Sequence, residues 1–123
     1  MFHTLRSEFN IKCGANIAVG GDIPIGCGLS SSTAFVVSIT TALCKLCGIE
    51  VNDKDLAHLC HRIENYGLGI GTGLLDQYSV VLSKKKHAMM IDFNDKNVEN
   101  IEIDDLMICI AHKGQTLSKD PFY

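Results

Sequence analysis

The chain has 123 residues, 46% hydrophobic and 20% charged, which is the make-up of one ordinary globular domain and excludes disorder or collagen-like repeats. A chain of this length buries roughly two thirds of its unfolded surface, so it needs neither disulfides nor metal to hold a core. Its formal charge of −3 supplies no cationic field for a polyanion, which argues against nucleic acid or an anionic membrane as partner.

Phe9, Ile11, Cys13, Ala15, Ile17 and Val19 alternate with mostly polar neighbours, the period of a half-buried strand, and Gly20, Gly21, Asp22 and Pro24 end it. Over residues 32–47 the apolar side chains Phe35, Val36, Ile39, Leu43, Leu46 and Cys47 recur three or four apart, and Gly48 follows. This predicts a helix despite its β-branched residues. Asn52 or Asp53 can cap a second helix with Leu56, Leu59, Cys60 and Ile63 on one face and Asp55, His58, Arg62 and Asn65 on the other, ending at Gly67. Residues 74–82 predict a third, shorter helix that presents Asp76 near its N-terminus, where the macrodipole favours a carboxylate, and that the basic run Lys84, Lys85, Lys86 closes. Residues 87–93 and 105–110 are short apolar segments, bounded by residues 94–96 and by Gly114, and both read as strands. Strands interleaved with helices predict an α+β or α/β domain.

The six cysteines, Cys13, Cys27, Cys44, Cys47, Cys60 and Cys109, are read as reduced thiols of a cytosolic protein, because the first ten residues lack the apolar run of a secretory signal. The longest uncharged stretch, residues 23–44, holds Pro24, two glycines and many Ser and Thr, and makes a poor membrane span.

Ten of the eleven glycines fall between Gly14 and Gly73 and gather in two loops, residues 20–28 and 67–73, where glycine lets a backbone come close to something else. In the first, Pro24-Ile25-Gly26-Cys27-Gly28-Leu29-Ser30-Ser31-Ser32 runs straight into a helix with three hydroxyls at its first turn. A phosphate there would accept backbone hydrogen bonds, gain from the helix dipole and find hydroxyls suited to a nucleotide's magnesium. It is not a Walker loop, since no Gly-Lys-Ser/Thr follows at the required distance, and a glycine-rich turn with a redundant serine cap accounts for the composition equally. In the second, Glu64 and Asp76 flank Gly67, Gly69, Gly71 and Gly73. Phosphoryl transfer needs a metal held and an acceptor hydroxyl oriented or deprotonated, and a carboxylate serves each role; two surface carboxylates at helix ends are the plainer alternative. Cys44-x2-Cys47-x10-His58-x2-His61 has the ligand types of a zinc site but not the spacing, and Cys47 and Cys60 lie on apolar faces. His87 and His112 stand beside expected strands and are assigned no role.

Together, the first loop and Gly73-Leu74-Leu75-Asp76-Gln77 resemble two signatures of the GHMP kinase superfamily, and look closest to those of its galactokinase branch: a phosphate loop P-x-G-x-G-L-S-S-S and a G-x-x-D-Q motif preceded by a glutamate placed like Glu64. Residues 57–66 resemble the family's helix before that aspartate, and residues 87–93 its following strand, so the resemblance covers about residues 13–92.

The resemblance implies an α+β fold, the N-terminal domain of a GHMP kinase (ribosomal protein S5 domain 2-like), and an incomplete one. Residues 1–123 would hold the phosphate loop at 24–32 and the aspartate loop at 64–77, without the family's N-terminal arginine motif or its C-terminal domain. It also implies ATP and Mg2+ as cofactors, with Gly26, Cys27, Gly28, Leu29, Ser30, Ser31 and Ser32 around the phosphates and Ser32 and Glu64 on the metal. Asp76 would face the sugar hydroxyl as base, and Gly73 would offer its N–H to the sugar. The activity implied is phosphorylation of the anomeric (C1) hydroxyl of a monosaccharide, galactose first. Galacturonokinases and arabinokinases share the pattern, and a non-catalytic sugar- or nucleotide-binding relative is an alternative of another class. The partners implied are the sugar, ATP and the remainder of the kinase chain, without which this chain is expected to be inactive. Three departures bear on sugar preference: Thr33 stands where alanine is common, Gly71-Thr72 replaces the usual Pro-Cys, and residues 111–117 match loosely.

Overall fold

Asn52 starts the central helix. Its Oδ1 accepts the Asp55 N–H at 2.9 Å, while its own amide reaches back to the Asp55 carboxylate, and Asp53 and Asp55 place negative charge at the positive end of the dipole. This helix, α3 (Asp53–Leu68), is one of four in a computed structural model that describes residues 1–12, 14–69 and 71–111; the others are α1 (Phe2–Phe9), α2 (Ser31–Leu46) and α4 (Leu75–Leu82). Two strands follow, β1 (His87–Asp92) and β2 (Asn97–Glu102). Cys13, His112 and Gly114 lie outside the described residues.

The core lies where α2, α3 and α4 pack pairwise. Leu56, Leu59, Cys60 and Ile63 of α3 meet Val36, Leu43 and Cys44 of α2, and Leu5 of α1 closes one end. That tertiary burial is what makes a helix of the β-branched α2, since helical propensity alone is weak. The end of α2 is a Schellman turn. Gly48 turns left-handed (φ 68°), its N–H bonds the Lys45 carbonyl at 3.3 Å, and the Ile49 N–H bonds the Cys44 carbonyl at 2.8 Å as Ile49 packs on the core.

The described residues of the span 9–19 do not form the expected strand. Phe9 closes α1, Asn10 turns left-handed, Ile11 is buried, and residues 14–19 pair with no other described strand. The alternation is present in the sequence, but a strand also requires a ladder partner for its backbone groups. The unexpected α1 has its own signal in Phe2, Leu5 and Phe9, and the Glu8–Arg62 ion pair at 2.7 Å fastens it to α3.

α4 ends before the basic run. Ser83 is extended, and Lys84, Lys85 and a left-handed Lys86 form the turn into β1. The second strand also falls earlier than residues 105–110. β1 turns through residues 93–96 and pairs antiparallel with β2, from Asp92↔Asn97 to His87↔Glu102. A short turn brings residues 97–102 to β1 first, so proximity along the chain outweighs the stronger apolar character of residues 106–110, which stay exposed. Phe93 stacks on Tyr78 of α4 at 6.0 Å, and the Lys54 ammonium donates to the Lys96 carbonyl, seating the hairpin on α3 and α4. No helix among the described residues is long and apolar enough to cross a membrane.

No described atom lies within 4 Å of a Cβ added at Gly48, so Gly48→Ala tests backbone conformation alone. It should lower stability by about 1 kcal/mol, read as a lower urea midpoint at unchanged slope.

Candidate functional site

The first glycine loop coils by alternating hand. Gly26 (φ 73°), Gly28 (φ 75°) and Ser30 (φ 51°) are left-handed, and Cys27 and Leu29 between them are not. Alternation of this kind turns successive backbone N–H groups to one side, a concavity suited to an anion. Ser30 is the N-cap of α2, yet its side chain makes no capping bond, so the first-turn N–H groups are left for another acceptor. Ile25, Gly26, Gly28, Ser30, Ser31 and Ser32 line a cleft of about 480 Å³, and the seventh lining residue is Asp76, from the first turn of α4. Cys27 and Leu29 do not line it. Asp76 takes no hydrogen bond from another described residue and is only half-buried.

Glu64 lies outside that lining and holds its two walls together. It is 3% exposed, on the α3 face that meets both α2 and α4. The Thr33 hydroxyl donates across both its oxygens, at 3.1 Å to Oε1 and 3.0 Å to Oε2, and the Gln77 amide donates to Oε2. Thr33 follows Ser32 and Gln77 follows Asp76, so one carboxylate of α3 ties the first turns of α2 and α4. No described Lys or Arg pairs with it, and neutral donors alone compensate it. A carboxylate has about four acceptor positions and these donors do not fill them all, so its chemistry fits the magnesium that the resemblance implies. Among the described residues no cluster of three or more His, Cys, Asp or Glu could hold a metal by itself. Magnesium carried by phosphates needs only one or two protein oxygens, the number that the resemblance assigns to it on Ser32 and Glu64.

The second glycine loop is pinned at Thr72, just before Gly73. Asn65 Oδ1 accepts both the Thr72 N–H at 3.1 Å and its hydroxyl at 3.2 Å. His61 Nε2 lies 2.8 Å from the Thr72 carbonyl oxygen and 2.9 Å from the Asn65 amide nitrogen, so it sits within the same cluster of contacts. The Cys44, Cys47, His58 and His61 set considered for zinc is not brought together. Cys44 faces the core, its thiol pushed up by burial, while His61 Nε2 contacts Thr72 and His58 Nε2 lies 3.2 Å from the Tyr78 hydroxyl oxygen. His87 Nδ1 lies 2.9 Å from the Lys85 carbonyl in the turn before β1. Sequence reasoning missed the roles of Thr33, Gln77, Asn65 and Thr72. The available signals were Thr33 as a departure directly after the serines, and Asn65 one turn beyond His61 on the same helix face.

Residues 1–84 match the family model for the GHMP kinases N terminal domain. The chain belongs to the GHMP kinase family. It is 38% identical over 104 residues to a galactokinase of Halalkalibacterium halodurans, covering 85% of this chain and 25% of that one. A Clostridium beijerinckii galactokinase is 33% identical over 109 residues, covering 87% and 28%. The fold superposes on the crystal structure of Lactococcus lactis galactokinase complexed with galactose, with a TM-score of 0.70 and 26% identity over 83% of this chain and 26% of that one. The chain thus spans about a quarter of the length of these GHMP kinases, and the expected α+β N-terminal-domain fold is the one found.

His58 supplies a pH dependence beside the site. Burial first, then the nearby positive charges of Lys96, His61 and Arg62, hold its pKa below the ordinary 6.5, with Asp55 opposing. The unfolded chain therefore binds a proton that the fold resists, and stability is lost as pH falls below about 6.5 toward the folded value. The loss of urea midpoint between pH 7 and pH 5 should be smaller in His58→Gln than in the parent.

Proposed function

We propose that residues 1–123 form part of the N-terminal domain of an ATP-dependent sugar kinase that phosphorylates the anomeric hydroxyl of galactose. The observation that carries this reading is that the phosphate-type loop and Asp76, on different helices, line one cleft. Galactose as acceptor is supported by the galactokinase relatives and by the galactose-bound solved neighbour.

The residues divide the work by their chemistry. Backbone N–H groups from Gly26 to Ser32, with the α2 dipole, hold the nucleotide phosphates, and Ser32 and Glu64 offer oxygens to magnesium. When bound, magnesium neutralises charge on the transferring phosphoryl group. Asp76 orients the sugar C1 hydroxyl and takes its proton as the new O–P bond forms and the bond to the ADP oxygen breaks. Gly73, whose side is open, presents its N–H to the sugar, and the Asn65–Thr72 clamp sets where that N–H points. The remainder of the kinase chain would supply the arginine and the other sugar contacts.

Calorimetric titration of ATP should give saturable binding that strengthens with magnesium, and Ser32→Ala should weaken it about tenfold, or about 1.4 kcal/mol. Absence of ATP binding with magnesium present would sink the phosphate-loop assignment. With the rest of a galactokinase chain supplied, Asp76→Asn should cut ADP release by at least about 100-fold while ATP affinity stays within about threefold. Unchanged turnover would remove Asp76 as the base, and galactose binding without ADP release in the parent would point to a non-catalytic relative.

A further inference from the structure

The Thr33 hydroxyl is almost equidistant from the two oxygens of Glu64, at 3.1 and 3.0 Å. A donor so placed sits across the mouth of the carboxylate, between its oxygens, which is the position a chelated cation would take. The Gln77 amide occupies a further lone pair on Oε2. Oε1 is thus approached by one donor and Oε2 by two, which leaves Oε1 the less encumbered oxygen. Thr33, Glu64 and Gln77 are all buried, so neither donor exchanges readily with water.

We propose that Thr33 is a positioning residue that restricts Glu64 to one-oxygen coordination through Oε1 and so sets the site's preference for magnesium over calcium. The inference rests on the kinase reading, in which Glu64 meets the nucleotide's cation. Magnesium demands compact octahedral geometry and single-oxygen ligands, whereas calcium, larger and less directional, readily takes both oxygens of a carboxylate. A hydroxyl stationed in the carboxylate mouth disfavours the second mode and leaves the first. Position 33 thereby acts on metal choice without touching the metal. Its neighbour Ser32, in the cleft, remains available to the cation directly.

The test is ATP affinity measured calorimetrically in magnesium, in calcium and in chelator, on the parent chain, Thr33→Val and Thr33→Ser. The parent should bind ATP more tightly in magnesium than in calcium. Thr33→Val, which keeps the shape and removes the donor, should reduce that ratio at least fivefold, and Thr33→Ser should keep it. Because the readout is a ratio, a merely structural role, which weakens binding in all three solutions together, leaves it unmoved and overturns the proposal. If Thr33→Val fails to fold, Thr33→Ala takes its place, and a parent that binds equally well in calcium overturns the proposal without any variant. A parent whose ATP binding ignores both cations overturns the inference together with the metal role of Glu64. Cation-dependent binding with an unmoved ratio in Thr33→Val overturns the inference alone.

Discussion

The fold is organised around one buried carboxylate. Glu64 is placed by α3 where α2 and α4 converge, and its hydrogen bonds go to Thr33 and Gln77, the residues directly after two members of the cleft lining. An ionised group so deep costs several kcal/mol unless donors surround it, so the helices that supply those donors are held in register with α3. The apolar contacts below, from Leu59, Cys60, Ile63, Val36 and Leu43, carry most of the burial but little direction. The carboxylate supplies the direction. Its charge also reaches the neighbouring core, where Cys60, already raised by burial, is pushed up to about 11 with Glu64 contributing.

The two glycine loops are placed by different means. The first relies on its own backbone hand and on the start of α2, whereas the second is fastened from outside, by His61 and Asn65 gripping Thr72. α4, which carries Asp76, has only eight residues and would be marginal alone. It is braced at its start through Gln77 and along its flank by Tyr78, which meets His58 edge-on and stacks on Phe93. The hairpin is thus part of what holds Asp76 to the loop, although none of its residues lines the cleft.

The three helices from α2 to α4 were legible because each has local punctuation: serines before α2 and Gly48 after it, Asn52 before α3, and Asp76 in the first turn of α4. The strands were less so, since pairing is a tertiary event and alternation over residues 9–19 names no partner. Within the site, Glu64 and Asp76 stood out by chemical type and by the motifs around them. Surface exposure, the plainer reading of Glu64, is overturned by Thr33 and Gln77, which lie far from it in sequence. Thr33 looked like a mere departure from a family pattern, and Asn65 like one more polar residue on a solvated face. Both acquire meaning only from distances that no spacing rule encodes.

The alternation of hand at Gly26, Gly28 and Ser30 makes the loop sensitive to its length. Replacing one side chain changes a single position. Inserting or deleting one residue would instead shift every later position by one, moving left-handed geometry onto residues with a Cβ and turning N–H groups away from the cleft. A segment that resembles an ordinary surface connection therefore behaves, toward insertions and deletions, more like a strand in register than like a linker.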